Sequence, residues 1–208
     1  HVERELGRPL EAMFSEFGET PVASASLAQV HRAVLKDGRV CAVKVQYPGV
    51  GAAVRSDLGN ANWLFAALGA MFPGLEPGPV IDELKERLLE ELDYEAEAAS
   101  QRYFATFFDG HPYISVPKVI DELSGPRILT SELAIGHRFD EVLTWSQGEK
   151  NLAAETIFRF SFGSIYRLNA FNGDPHPGNY LFNKGGRVTF LDFGLVKRFT
   201  PAETALFE

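Results

Sequence analysis

Two short loops near the end of the chain constrain its fold more than any other feature of its 208 residues. The first reads Asn172-Gly-Asp-Pro-His-Pro-Gly-Asn179 and the second Leu191-Asp-Phe-Gly194. Asp174 and Asn179 are five positions apart, and Asp192 lies thirteen beyond Asn179, at the end of a short apolar run. Between the loops, Tyr180–Phe182 and Arg187–Leu191 flank Gly185-Gly186, which predicts a hairpin that folds one loop back beside the other. Phosphoryl transfer needs such a set: a carboxylate that accepts the attacking hydroxyl proton, and oxygen ligands for Mg²⁺ held at rigid, neighbouring positions. An Asp in a Pro/Gly-rich loop is by itself a turn residue, and D-F-G alone carries little information. Their order and spacing together carry the reading. His176 sits between two prolines and is read as shaping the loop by hydrogen bonding, because Asp174 already occupies the position of the base.

The rest of the chain alternates strands and helices. Leu6, Leu10, Met13, Phe14 and Phe17 predict one opening helix, broken by Gly18–Pro21. Ala28–Leu35 and Arg39–Gln46, joined by Lys36-Asp-Gly38, predict a hairpin. Helices are expected over residues 50–72, 80–108 and 151–170, with Pro73–Pro79 as a linker, and further strands over 115–121 and 127–132. This order predicts an α+β chain in two lobes. The first, 1–133, is an antiparallel sheet with inserted helices. The second, 134–208, opens on a hinge and is a partial helical lobe holding both loops.

Twenty basic against 28 acidic side chains exclude a broad electrostatic hold on nucleic acid. The negative balance is local, since residues 76–109 contain ten acidic and three basic side chains. The single cysteine, Cys41, excludes an intrachain disulfide framework and fits a reducing compartment. It is expected to be an inert, half-buried strand residue. The best apolar run, Trp63–Phe72, is half of the roughly 20 residues that span a bilayer. No basic-then-apolar leader opens the chain, so a cytoplasmic setting is expected. The start at His1 and the end at Glu208 are expected of a piece of a longer polypeptide.

Lys44 lies in Cys41-Ala-Val-Lys-Val-Gln46, where strand alternation places it with Ala42 and Gln46, opposite Val43 and Val45. With the later loops present, it matches a strand lysine that pairs nucleotide phosphates. Upstream stands Pro21-Val-Ala-Ser-Ala-Ser-Leu-Ala-Gln29, with no glycine-rich pattern. Ala and Ser keep a Cβ, so this loop is expected to be stiffer than a glycine loop. Either Ser24 and Ser26 offer donors to phosphate, or the stretch is a plain lead-in to a strand.

D-x-x-x-x-N, a hairpin and D-F-G have the spacing of a protein-kinase catalytic loop and metal-binding segment. Asn172-Gly173-Asp174 replaces the usual H-R-D, so regulation other than activation-loop phosphorylation is expected. Pro21–His31, Ala42-Val-Lys-Val-Gln-Tyr-Pro-Gly49, Glu91-Leu-Asp-Tyr94, Asp174–Asn179 and Asp192-Phe-Gly194 together resemble the UbiB/AarF-type atypical kinases. That resemblance implies a protein-kinase-like bilobal fold that binds ATP or ADP with Mg²⁺. It implies atypical kinase or ATPase activity tied to isoprenoid quinone biosynthesis, a lipid or quinone-precursor substrate, and peripheral membrane association of the longer protein. It implies an Ala-rich nucleotide loop at Ala23, Ser24, Ala25 and Ser26, with Lys44 as the phosphate lysine and Glu91 as its ion-pair partner. Asp93 would lie near the nucleotide or a lid, Asp174 would be the catalytic Asp, and Asn179 and Asp192 the metal ligands. Periodicity alone does not single out Glu91: counted with Leu84, Leu88, Leu92 and Ala99, Glu95 is nearer the centre of the stripe. The family's K-x-G-Q motif is absent, and Ser100 stands where many members have Asn. Two other readings remain: a small-molecule kinase of the aminoglycoside-phosphotransferase type, which shares G-D-x-H-P-G-N, and a nucleotide-gated lipid-binding module without kinase activity. The Ala-Ser loop and Glu91-Leu-Asp93 argue against the former.

Overall fold

Gly7 and Pro9 prevent the predicted opening helix. The computed structural model, which describes residues 1–58 and 78–207, divides that stretch into α1 (Val2–Leu6), α2 (Leu10–Met13) and a strand, β1 (Phe14–Phe17). Gly7 ends α1 at φ 66°, in the left-handed region glycine favours, and proline has no place inside a helix. Phe14 and Phe17 then pair with Leu35 and Ala33 across an antiparallel ladder. Their spacing suits either element, and the available sheet edge decides between them.

β2 (Ala23–Ser24) and β1 both pair with β3 (Ala28–Leu35), which is joined to β4 (Val40–Gln46) by the Asp37-Gly38 turn, with Gly38 at φ 89°. Along β4, Cys41, Val43 and Val45 are buried against Met13, Phe14, Ala33, Leu35 and Ile120, while Ala42 and Lys44 face the other way. Cys41 is completely buried rather than half-buried, and burial pushes its thiol up to about 11. Residues 50–58 are helical (α3). The remainder of the predicted 50–72 helix, the apolar run Trp63–Phe72 and most of the Pro73–Pro79 linker lie outside the described residues.

The helix expected over 80–108 is two helices, α4 (Gly78–Glu90) and α5 (Tyr94–Phe107). Asp93 starts the second by accepting the Ala96 N–H at 2.9 Å, an N-cap that satisfies one of the orphan donors of a helix start. The buried Gln46 amide donates to the Leu92 carbonyl at 2.7 Å and anchors the break to β4. The strand expected over 115–121 shortens to β5 (Ile114–Ser115) and a single bridge from Val119 to Ser131, because Pro117 has no N–H to give a ladder. β6 (Ile128–Glu132) pairs with β4 and completes a five-stranded antiparallel sheet.

After the short α6 (Phe139–Val142), Ser146 caps α7 (Gln147–Leu168), which ends at Asn169 with φ 50°. Next come β7 (Ala170–Asn172), the hairpin of β8 (Tyr180–Asn183) and β9 (Arg187–Phe190), β10 (Val196–Arg198) and α8 (Pro201–Thr204). β5 joins β9 in parallel. β7 and β10, which periodicity did not predict, pair antiparallel and bracket both informative loops. Beneath them lies an aromatic core in which the Phe160 and Phe190 rings stack at 3.6 Å and Phe193 packs on Phe104 of α5 at 5.0 Å. The architecture is α+β. No helix among the described residues is long and apolar enough to cross a membrane.

Candidate active site

Lys44 projects from β4 into a cleft of about 680 Å³. Val30 and Ala42 line it from the five-stranded sheet, Leu181 and Leu191 from the hairpin region, and Leu129, Glu97 and Gln101 complete its wall. The lysine Nζ lies 2.7 Å from Glu97 Oε1, 2.9 Å from Oε2 and 3.3 Å from Asp192 Oδ2. Glu97 is 3% exposed and Asp192 31%, so one lysine is shared between a buried carboxylate and a partly exposed one.

The partner of Lys44 is therefore Glu97 and not Glu91. Glu91 is exposed at the helix break and accepts a hydrogen bond from the Ser26 hydroxyl. The physical reason is the new helix start at Asp93. A stripe counted from the preceding helix loses its phase there, whereas one counted from Tyr94 takes in the buried Glu97, Ala98, Gln101, Phe104 and Ala105. Glu97 lies on that face, whereas Glu95 is exposed. The sequence signal was present in the capping Asp93 and the spacing that follows it.

The charges in the cluster are unbalanced. Burial opposes the charge on Lys44, but Glu97 and Asp192 outweigh it and hold the ammonium far above its usual range. Burial also pushes the Glu97 carboxyl up, Lys44 pulls it down, and Asp192 pushes it up again. Two carboxylates share one cation, leaving a net negative site beside an open cleft.

Asp192 connects this cluster to the other loop. Its Oδ1 accepts the Gly194 N–H at 2.9 Å, and its carbonyl accepts from the Asn172 amide at 2.7 Å. Asn172 Oδ1 in turn accepts the Asp174 N–H at 3.3 Å. Asn172 was read in the sequence only as a departure from H-R-D, yet it ties the two loops together; an Asn two residues before the Asp is its signal, because Asn readily bonds backbone two residues on. Asp174 Oδ2 accepts from Asn179 Nδ2 at 2.7 Å, and Oδ1 from the His176 N–H at 3.2 Å. His176 Nδ1 accepts the Gly178 N–H at 3.1 Å, so that ring nitrogen is engaged in the loop. Gly178 permits this approach: a Cβ there would meet Nδ1 at 2.9 Å.

The remaining sequence candidates are more dispersed. Ala23 lines the cleft from β2, while Ser24 pairs with β3, Ala25 donates its N–H to the Ala28 carbonyl, and Ser26 reaches Glu91. Asp93 caps α5 and borders a separate groove with Glu90, Gly173 and Gly194. Among the described residues no three His, Cys, Asp or Glu side chains form a metal cluster. The set nevertheless suits Mg²⁺, which is held by one or two carboxylates with phosphate and water completing its shell. Asp192 could supply the carboxylate, and Asn179, whose amide nitrogen is spent on Asp174, has its amide oxygen to offer.

Comparison with known proteins identifies the family. The chain is 34% identical over 199 residues to the mitochondrial atypical kinase COQ8B of Rattus norvegicus, covering 95% of this chain and 38% of that protein. It is 36% identical over 187 residues to the mitochondrial atypical kinase coq-8 of Caenorhabditis elegans, covering 87% of this chain and 25% of the relative. The chain thus spans well under half the length of these relatives. A solved complex of Rv3197 with erythromycin from Mycobacterium tuberculosis superposes with a TM-score of 0.86 at 38% identity, covering 95% of this chain and 50% of that one. The profile of the ABC1 atypical kinase-like domain matches residues 1–207, and the chain belongs to that family, with its kinase-like fold.

Proposed function

We propose that the cleft binds ATP or ADP with Mg²⁺ and that the protein performs phosphoryl transfer or ATP hydrolysis in support of isoprenoid quinone biosynthesis. The observation that carries this reading is the unbroken network from Glu97 through Lys44, Asp192 and Asn172 to Asp174 and Asn179. The apolar slot between Val30 and Ala42 on one side and Leu181 and Leu191 on the other suits a flat base, with Ala23 at its edge. Lys44, charged and fixed by Glu97, holds phosphate oxygens. Asp174, oriented by bonds to both of its oxygens, takes up the proton of the attacking hydroxyl or aligns a water. Asn179 and Asp192 would hold Mg²⁺, which offsets phosphate charge when bound. Glu91 anchors the Ala-Ser loop through Ser26, and Asp93 sets the start of the helix that presents Glu97. The resemblance to UbiB/AarF-type proteins and the kinship with COQ8-named kinases support the quinone pathway and a lipid-like acceptor, with membrane contact peripheral.

ATP turnover with Mg²⁺ in wild type, Asp174→Asn and Asp192→Asn tests the assignment. Asp192→Asn should lose Mg-dependent nucleotide binding, and Asp174→Asn should keep binding and lose turnover. Equal turnover in all three proteins would sink it. A second reading, a small-molecule acceptor, is favoured by the erythromycin complex of the 38% identical relative. Turnover stimulated by macrolides and not by prenylated quinone precursors would put that reading first.

A further inference from the structure

Tyr94, the first residue of α5, has a hydroxyl that packing does not explain. Its ring fills a small apolar site formed by Ala28, Ala98 and Leu129, which a phenylalanine would fill equally well. The side chain is 2% exposed, and its hydroxyl has no hydrogen-bond partner among the described residues. Burying an unpaired hydroxyl is unfavourable, and native folds rarely do it without cause. No fully buried side-chain oxygen or nitrogen among the described residues lacks a partner, so the Tyr94 hydroxyl must lie at the small remnant of the residue that still meets open space.

The position of that remnant follows from what surrounds the ring. Lys44 Nζ sits over it, 5.1 Å from the centroid, in a cation–π contact. The hydroxyl feels Lys44, Glu97, Asp192 and Glu91, of which Lys44 and Glu97 line the cleft. Burial pushes the phenol up, Lys44 pulls it down, and the three carboxylates push it up further, so it stays an O–H donor. Its carboxylate neighbours accept from Lys44 and Ser26 and do not take this proton.

We infer that Tyr94 is a further nucleotide-contact residue, its ring seating Lys44 and its hydroxyl donating to a phosphate oxygen of the bound nucleotide. The inference rests on the nucleotide reading above and adds a residue that neither the catalytic loops nor the strand lysine disclose. A phosphate oxygen satisfies the donor that the apo fold leaves without a partner, which is why a tyrosine is worth burying there.

The test compares wild type with Tyr94→Phe, which keeps ring, packing and cation–π contact and removes only the oxygen. Binding of ADP and ATP is measured with Mg²⁺ and again in excess EDTA, alongside adenosine, which has no phosphate. Loss of a hydrogen bond to a charged acceptor predicts about tenfold weaker binding of both nucleotides. That loss should persist in EDTA, with adenosine affinity and thermal midpoint unchanged. Nucleotide binding equal to wild type overturns the inference and leaves the proposed function standing. A loss seen only with Mg²⁺ overturns it too, placing the hydroxyl on the cation's water. An equal loss for adenosine overturns it in favour of a packing role. Wild type that binds adenosine but neither nucleotide removes this inference and the proposed function together.

Discussion

α4 and α5 are neighbours in sequence and opposite in what their carboxylates do. On α4, Glu83 and Glu90 flank Arg87 at 2.7 and 3.0 Å, with side chains about half exposed, and Asp82 pairs with Lys85. On α5, Glu97 is 3% exposed and holds Lys44 at 2.7 Å. Exposed pairs at helical spacing gain little, because water and salt screen them and two long side chains lose freedom. A buried pair is different: each charge has lost its water and depends on the other. The density of acidic residues therefore does not indicate which one matters. The position relative to the helix start does, because it decides which carboxylate faces the sheet.

The largest effect should separate Glu97 from Glu91. Glu97→Gln leaves Lys44 buried with one carboxylate instead of two, and should lower ATP turnover at least about 100-fold, the scale of breaking a buried ion pair. Glu91→Gln alters an exposed contact to Ser26 and should change turnover by less than about threefold. In a double-mutant cycle, Lys44→Ala and Glu97→Gln should be strongly non-additive, whereas Lys44→Ala and Glu91→Gln should add. Equal losses at the two glutamates would break the comparison between the helices.

What could be read in the sequence follows from the range of the contacts involved. That the loops of Asp174, Asn179 and Asp192 meet was legible because one hairpin with two left-handed glycines, Gly185 and Gly186, brings them together. The side of β4 that Lys44 occupies was legible from strand alternation, and Ala42 and Lys44 share the cleft face as expected. Glu97 was not, since it meets Lys44 across 53 positions and its phase is set by a break that periodicity alone does not show. The three-residue strands β7 and β10 are too short to leave a pattern, and their pairing depends on the loops between them. Phe14 and Phe17 fit a helical stripe and a strand equally, and only the edge of β3 chose. The full burial of Cys41 comes from β4 having a partner on each side, which no local window reveals.

Breaking the cap between the helices is a smaller perturbation. Asp93→Ala removes the acceptor of the Ala96 N–H and should cost about 1 kcal/mol of stability, read from the urea midpoint, while Asp93→Asn should recover most of it. Because α5 carries Glu97, the Ala variant should also bind nucleotide slightly less well. A cap that mattered only to α4 would leave nucleotide affinity untouched and would uncouple the two helices.

The smallest effect should come from an exposed side chain with two ion pairs of its own. Arg87 contacts both Glu83 and Glu90, and counting salt bridges would rank it level with Lys44, whose ion-pair partners are also two. Arg87 is half exposed, however, and both of its partners remain hydrated when it is removed. Arg87→Ala should leave the urea midpoint and ATP turnover at their wild-type values, and raising the salt concentration should not change that outcome, because little attraction is there to screen. Lys44→Ala, by contrast, strands Glu97 at 3% exposure beside Asp192 and leaves two carboxylates facing each other without a cation. A midpoint loss in Arg87→Ala as large as in Lys44→Ala would mean that α4 is held by its charges as α5 is, and that burial is not what distinguishes the two helices.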